Sequence, residues 1–300
     1  MCALLHTVPS FETTVDPDVI YATAVGYRTE APVDVKGTIF RLLLHQGKPH
    51  PVSLEMDIYR PEGDGEAGRP LLLMMHGGSY FIGNKAEAGQ AGWCRFFASL
   101  GYVAVSIDYR LGFRLTKKDI RGAETRALED AEKALSFLLG REDLRIDRER
   151  IFASGTSAGA VTALHLAFDE ERKYPIRAVA NLWGSVHDLS VLERANVPIL
   201  SFQSEKDPVM PYDGGYPFPS ISLISRLFSE KMYGTHAVYE KALSLGYRAE
   251  HHPCAEKRHR LHLDDAGNYT SRFYEIRDAM AKFFAEEMRE PEATSAPESL

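Results

Sequence analysis

The chain has 300 residues, of which 44% are hydrophobic and 26% charged, the balance of a globular protein that buries a sizeable core. Its formal net charge of −7 excludes a broadly basic surface, so neither nucleic acid nor a membrane is an expected partner. No run approaches the roughly 18 apolar residues that a membrane span needs. A small, neutral or weakly charged substrate fits this composition better.

The cysteines, Cys2, Cys94 and Cys254, are too few and too scattered for a disulfide framework or a metal site with short ligand spacing. The first residues lack the basic start and apolar run of a signal peptide. The sequence as given therefore predicts a cytoplasmic protein, or a periplasmic or secreted one if a leader has been removed. Residues 1–290 are predicted to form one domain, and residues 291–300, rich in Pro, Glu, Ser and Thr, a disordered tail.

Two stretches near the N-terminus, residues 33–44 and 52–59, contain alternating apolar and polar residues and flank a Gln-Gly-Lys-Pro turn. They predict an antiparallel pair at the edge of a sheet. From Pro70 onward, short runs that are apolar almost throughout alternate with helical patterns, as expected of parallel strands covered on both faces. These runs span residues 71–75, 102–107, 151–153, 178–183 and 199–202, and a last strand is predicted at 247–254.

Residues 123–139 repeat apolar side chains at helical spacing, with charged residues on the opposite face, and so predict a helix that packs on the sheet. Residues 208–234 carry several prolines and glycines among aromatic residues, which predicts a long ordered loop. The pattern as a whole predicts an α/β fold: a mostly parallel central sheet flanked by helices, with antiparallel N-terminal edge strands.

The segment Gly155-Thr156-Ser157-Ala158-Gly159 follows one predicted strand and precedes a helix-compatible apolar run. A serine on such a tight strand-to-helix turn projects its hydroxyl at the carboxyl end of the sheet, and the flanking glycines relieve the crowding. The helix start adds free N–H groups and a positive dipole end beside the reacting carbonyl. Ser157 is therefore the predicted nucleophile.

The run His-Gly-Gly-Ser-Tyr at residues 76–80 closes the first central strand. Acyl transfer develops negative charge on the carbonyl oxygen, and N–H groups fixed in a glycine-rich turn can receive that charge without reorganising. The predicted oxyanion-hole donors are Gly78, Ser79 and Ala158.

A serine hydroxyl needs a base, and the base needs a carboxylate to fix its tautomer. Asp207, directly after the strand run 199–202, is the predicted acid. Its rivals are Glu205 in the same turn, Asp188 after the preceding strand, and Asp213 further into the loop.

The base is expected from the histidines that follow residue 246. His251 and His252 are neighbours in the last strand and point to opposite faces, so they cannot both line one site. His259 and His262 lie in the loop beyond it. His259 is preferred because a short turn after Cys254 could bring it back over the sheet, and His262 remains the alternative.

The ordered motifs resemble the α/β-hydrolase esterase and lipase family, and are most similar to bacterial carboxylesterases related to the hormone-sensitive-lipase and feruloyl or acetyl esterase groups. The resemblance spans residues 71–262. Two features depart from the family: Ala255-Glu256-Lys257-Arg258 stands where small residues usually precede the catalytic His, and Ser79 replaces a frequent third Gly. The motifs are His-Gly-Gly at 76–78, Ser-Ile-Asp-Tyr-Arg at 106–110, residues 150–159, and Lys-Asp-Pro-Val-Met-Pro-Tyr-Asp at 206–213.

The sequence and the resemblance together predict a serine carboxylesterase that works through a Ser-His-Asp triad and an acyl-enzyme, with no cofactor and no metal. The expected substrates are short-chain or aromatic esters of acetyl or feruloyl type, with carbohydrate esters among the candidates, because Tyr80, Phe81 and Trp183 could wall a compact pocket and no amphipathic lid is visible before Pro208. The alternatives are a peptidase or amidase on the same fold and a non-catalytic binding relative. The sequence leaves the oligomeric state open.

Overall fold

A computed structural model describes residues 7–29, 47–63, 65–171 and 173–288. These residues include one eight-stranded sheet, in the order β1-β2-β4-β3-β5-β6-β7-β8, in which only the pairs β1–β2 and β2–β4 are antiparallel. The strands are β1 Thr13–Gly26, β2 His50–Pro61, β3 Arg69–Met75, β4 Val103–Ile107, β5 Ile146–Thr156, β6 Ile176–Leu182, β7 Ile199–Ser204 and β8 Ala249–Cys254.

Six α-helices accompany the sheet in the described part of the chain. They are α1 Ala88–Ser99, α2 Lys117–Leu139, α3 Ala158–Phe168, α4 Ser222–Phe228, α5 Thr235–Ser244 and α6 Ser271–Glu287. Helices α2 and α3 pack on one face of the sheet, and α1 and α6 pack on the other. The predicted mostly parallel α/β fold with antiparallel edge strands is confirmed.

The continuous apolar runs have a direct cause in this layering. Successive side chains of a strand point to opposite faces, so Leu71 and Leu73 of β3 enter the core on the α2 and α3 side, whereas Leu72 and Met74 enter the core on the α1 and α6 side. All four side chains are fully buried. A strand with helices on both faces has no solvent-facing side, and therefore shows no polar alternation.

The predicted edge pair is correct in one member. Residues 52–59 lie within β2, but the partner of β2 is β1, which the sequence did not predict, and residues 33–44 lie outside the described residues. The register of β1 shifts between Asp16 and Val19 and again between Ile20 and Ala22. Each shift interrupts the period-two pattern by which a strand is recognised.

Residues 208–234, predicted as a loop, contain helix α4. The four apolar residues of its sequence, Ser-Leu-Ile-Ser-Arg-Leu-Phe, lie on one face of the helix, but seven residues make only about two turns, too few for a helical period to stand out in the sequence. Leu223 and Leu227 on that face are 78% and 68% exposed. The predicted tail at residues 291–300 lies outside the described residues.

Candidate active site

The turn between β5 and α3 holds Ser157 in an unusual backbone conformation, with φ 52° and ψ −117°. A positive φ is uncommon for a residue with a side chain and persists only where the surroundings enforce it. Here the Ser157 N–H donates a hydrogen bond to the carbonyl oxygen of Leu182 at 2.9 Å, which ties the turn to β6. The hydroxyl is consequently presented at the carboxyl end of the sheet.

The glycines on both sides of Ser157 are required by close backbone packing. A Cβ on Gly159 would overlap the carbonyl oxygen of Met75, and one on Gly155 would overlap the backbone of Gly159. The turn can therefore approach β3 only with glycine at these two positions.

His259 and Asp207 complete a hydrogen-bonded chain with Ser157. The Ser157 Oγ lies 2.9 Å from His259 Nε2, and His259 Nδ1 lies 2.8 and 2.9 Å from the two carboxylate oxygens of Asp207. An ionised carboxylate only accepts hydrogen bonds, so Nδ1 carries the proton and Nε2 is free to accept from the serine hydroxyl. This is the tautomer that a general base requires.

Asp207 is fixed from several sides. Asp207 is buried, and its Oδ1 accepts hydrogen bonds from the N–H groups of Val209 at 2.8 Å and Met210 at 3.1 Å. The Gln203 amide also approaches Oδ2 at 3.4 Å. These donors hold the carboxylate in the orientation that meets His259.

The rival acids have other partners. Asp188 is exposed and accepts from the Ser190 N–H at 2.9 Å, capping the short 3₁₀ helix Leu189–Arg194. Asp213 pairs with His236 at 2.5 Å on the surface, and Glu205 is exposed. The structure brings none of the three to His259.

His262, the alternative base, is buried instead between two tryptophans. Its ring lies 4.9 Å from that of Trp93 and 5.3 Å from that of Trp183. Burial lowers the pKa of His262 to about 3, so the ring is neutral. The strand histidines lie on opposite faces of β8, where His251 stacks on Tyr239 and His252 on Phe202.

The glycine-rich turn after β3 lies against the serine. A Cβ on Gly77 would lie 3.4 Å from the Cβ of Ser157. Gly78, Ser79 and Tyr80 all have positive φ, at 108°, 55° and 59°, so the backbone coils tightly here. Phe81 and Ile82 donate their N–H groups to the Gly78 carbonyl oxygen.

Two aromatic residues and a histidine hold this turn. Tyr80 donates its hydroxyl to the Ala158 carbonyl oxygen at 2.8 Å, which fixes the turn to α3. His76 bonds the Gly77 carbonyl oxygen at 2.7 Å and stacks on Tyr109 at 4.2 Å. Burial lowers the pKa of His76 to about 4, so its ring is neutral and its Nδ1–H serves as the donor. The bracing role of Tyr109 was not predicted.

A pocket of about 270 Å³ opens at Ser157 between the glycine-rich turn and α4. Tyr80 lines it as predicted, but Phe81 and Trp183 do not. Phe81 packs on Phe113 inside the core, and Trp183 turns toward His262 on the other face of the sheet. The side chains that sequence reasoning missed come mainly from residues 208–234 and are Met210, Phe218, Ile221, Ile224, Phe228 and Met232.

Metal sites, membrane-spanning helices and disulfides are absent from the part of the chain that the structure describes. Among these residues, no three His, Cys, Asp or Glu side chains gather as metal ligands would. None of the described helices is long and apolar enough to cross a membrane. Cys94 and Cys254 are buried and unbridged.

Comparison with known proteins places this geometry in context. The family model named BD-FAE matches residues 56–175, which include the glycine-rich turn and the Ser157 turn. Esterase 2 of Thermogutta terrifontis superposes with a TM-score of 0.57 over 96% of both chains, at 19% identity. The chain has the α/β-hydrolase fold. The predicted resemblance to α/β-hydrolase esterases is confirmed, and the predicted class, a serine hydrolase, agrees with these matches.

The curated relatives of this chain match over part of their length. Gut esterase 1 of Caenorhabditis elegans is 32% identical over 102 residues, which cover 32% of this chain and 18% of that protein. Non-reducing polyketide synthase adrD of Penicillium roqueforti is 30% identical over 175 residues, 56% of this chain and 7% of that protein. The chain therefore spans a small part of the relatives that it matches.

Proposed function

We propose that this α/β-hydrolase is a serine carboxylesterase in which Ser157 is the nucleophile, His259 the general base and Asp207 the acid that orients His259. The observation that carries the proposal is the unbroken hydrogen-bonded chain from Ser157 Oγ to the Asp207 carboxylate. Such a chain activates a hydroxyl that is otherwise a weak nucleophile.

The reaction follows from this arrangement. Ser157 Oγ attacks the ester carbonyl carbon as His259 Nε2 takes its proton, and the N–H groups of Gly78, Ser79 and Ala158 stabilise the charge on the carbonyl oxygen. His259 then protonates the leaving alcohol, and an acyl group remains on Ser157. A water molecule, deprotonated by His259, attacks this acyl-enzyme and releases the acid.

The pocket that opens at Ser157 is proposed to hold the acyl group. The pocket wall is mostly apolar and does not include His259. The alcohol part of the ester, which can be a carbohydrate, would therefore leave on the side of His259. The esterase 2 neighbours include structures bound to butyrate and to propionate, which are short acids of the size that such a pocket admits. Aromatic acids of feruloyl type are proposed for the same pocket.

The sequence favoured short acyl groups because no lid was visible before Pro208, and in the structure helix α4 contributes Ile224 and Phe228 to the pocket wall. We therefore expect para-nitrophenyl butyrate to exceed the acetate by about tenfold in kcat/KM, since each further buried methylene contributes about 0.8 kcal/mol. Val161→Phe, which fills the pocket beside Ser157, should abolish this gain while acetate hydrolysis persists.

The matching anilide of butyric acid serves as the control for an amidase. We expect the ester to be hydrolysed much faster than the anilide. Faster anilide cleavage would favour the peptidase or amidase alternative, and acetate exceeding butyrate would show that the pocket does not receive the acyl group.

A further inference from the structure

One charged side chain lines the wall of the pocket, which is mostly apolar apart from its serine and tyrosine hydroxyls. Glu124 projects from α2 into the same pocket as Ser157, among Phe113, Ile120 and Val161. Its residue is only 8% exposed, and burying a carboxylate in an apolar setting is unfavourable unless it accepts hydrogen bonds.

Glu124 has protein partners, but they do not exhaust its capacity. His187 Nε2 lies 3.0 Å from both carboxylate oxygens, and Arg121 Nη1 lies 2.7 Å from Oε2. A carboxylate offers about four acceptor sites, so these donors leave room for one more. Burial raises the pKa of Glu124, but the hydrogen bond from His187 and the nearby charges of His187, Arg121 and His165 together outweigh burial and hold the pKa below its usual value. Glu124 is thus a charged acceptor.

A purely aliphatic acyl group that contacts Glu124 would exclude water from the carboxylate without offering a hydrogen bond in exchange. The loss of a hydrogen bond to a buried charged group costs more than the loss of a neutral one. A pocket that is built to bond a substrate hydroxyl accordingly rejects the analogue that lacks it. The donor is better neutral than cationic, because the Arg121 guanidinium already lies against Glu124, as well as 3.7 Å from Glu230, and would repel a second cation.

We propose that Glu124 is a specificity-determining residue that accepts a hydrogen bond from a hydroxyl on the acyl group, so that hydroxylated acyl groups are the preferred substrates. This inference rests on the proposed esterase function and names the substrate class of the same site. Glu124 takes no part in the bond-breaking steps. Its role is to bind the acyl group at a point away from the reacting carbonyl.

The test compares matched pairs of methyl esters that differ by one hydroxyl. The acyl groups are straight chains of four, six and eight carbons with or without a terminal hydroxyl, and phenylpropionate with or without a para hydroxyl. We expect the ratio of kcat/KM, hydroxylated over unsubstituted, to reach about tenfold or more for at least one pair in the wild type. A ratio at or below one for every pair would overturn the proposal.

Two variants locate the effect. Glu124→Met replaces the acceptor by an apolar side chain of similar length and should reduce the highest ratio to one or below. Glu132→Met on the same helix should leave the ratio unchanged, because Glu132 pairs with Lys173 and does not line the pocket. An unchanged ratio in Glu124→Met would contradict the proposal, and the wild-type comparison stands even if that variant fails to fold.

A binding measurement separates this inference from the proposed function. The same ester pairs are titrated into Ser157→Ala by calorimetry, which requires no turnover. Tighter binding of a hydroxylated ester by about tenfold would support the role of Glu124 even if the wild type hydrolysed no ester, and equal binding of every pair would overturn it.

Discussion

His259→Ala should lower kcat for ester hydrolysis by about 10⁶-fold, the order of loss seen when the base of a serine triad is removed. The reason is geometric, because His259 alone among the described histidines contacts both Ser157 Oγ and the Asp207 carboxylate. The measurement is turnover of para-nitrophenyl butyrate at saturating substrate, with folding checked by circular dichroism.

His262→Ala is the matched control, since it removes a histidine three positions further along the same loop. Its ring lies between Trp93 and Trp183 and does not contact Ser157, so we expect the melting temperature to fall while kcat changes much less. Loss of activity in His262→Ala with retention in His259→Ala would reverse the assignment.

Asp207→Asn should lower kcat by about 10⁴-fold, as an equivalent change does in other triads. An amide keeps the shape of the side chain but no longer stabilises the imidazolium, and its NH₂ group favours the wrong tautomer of His259. Asp207 is buried and held by hydrogen bonds from the N–H groups of Val209 and Met210. The rival carboxylates described above do not reach His259, so none of them can take its place.

Asp188→Asn is the control for this change. Asp188 caps the 3₁₀ helix Leu189–Arg194, and asparagine is an equally good cap, so activity and stability should both remain near wild type. A large loss in Asp188→Asn, with Asp207→Asn near wild type, would move the acid to the loop after β6.

Much of the fold could be predicted because its signals are local. Strands such as β3 and β7 are buried on both faces and therefore read as short apolar runs. The turn at Ser157 was recognisable because Gly155 and Gly159 are forced by backbone contacts that no larger residue allows. Asp207 could be proposed because it follows β7 directly.

The remaining features depend on contacts between distant segments. Chain order could not separate His259 from His262, because both follow β8; the tertiary contacts do, since His259 meets Ser157 and Asp207 whereas His262 packs between Trp93 and Trp183. Phe81 and Trp183 were predicted to wall the pocket from their positions at strand ends. In the structure Phe81 packs on Phe113 and Trp183 packs on His262, so neither side chain lines the pocket. The position of a residue at a strand end does not reveal the direction of its side chain.

The pocket wall illustrates the same limit. Helix α4 has only seven residues, about two turns, so its apolar period was too short to identify it as a helix, and its contact with the pocket comes from the return of the chain over Ser157. Glu124 and Asp130 are both buried charged residues of α2, but of the two only Glu124 lines the pocket, and nothing in the period of α2 marks that difference.

The most direct test of the account is covalent labelling of Ser157. The purified protein is treated with a fluorophosphonate, and the modified peptide is identified by mass spectrometry. The hydrogen-bonded chain predicts one adduct per chain, on Ser157, with no labelling of Ser157→Ala and strongly reduced labelling of His259→Ala. Equal labelling of the wild type and Ser157→Ala, or an adduct on another residue, would contradict the proposal that Ser157 is the nucleophile.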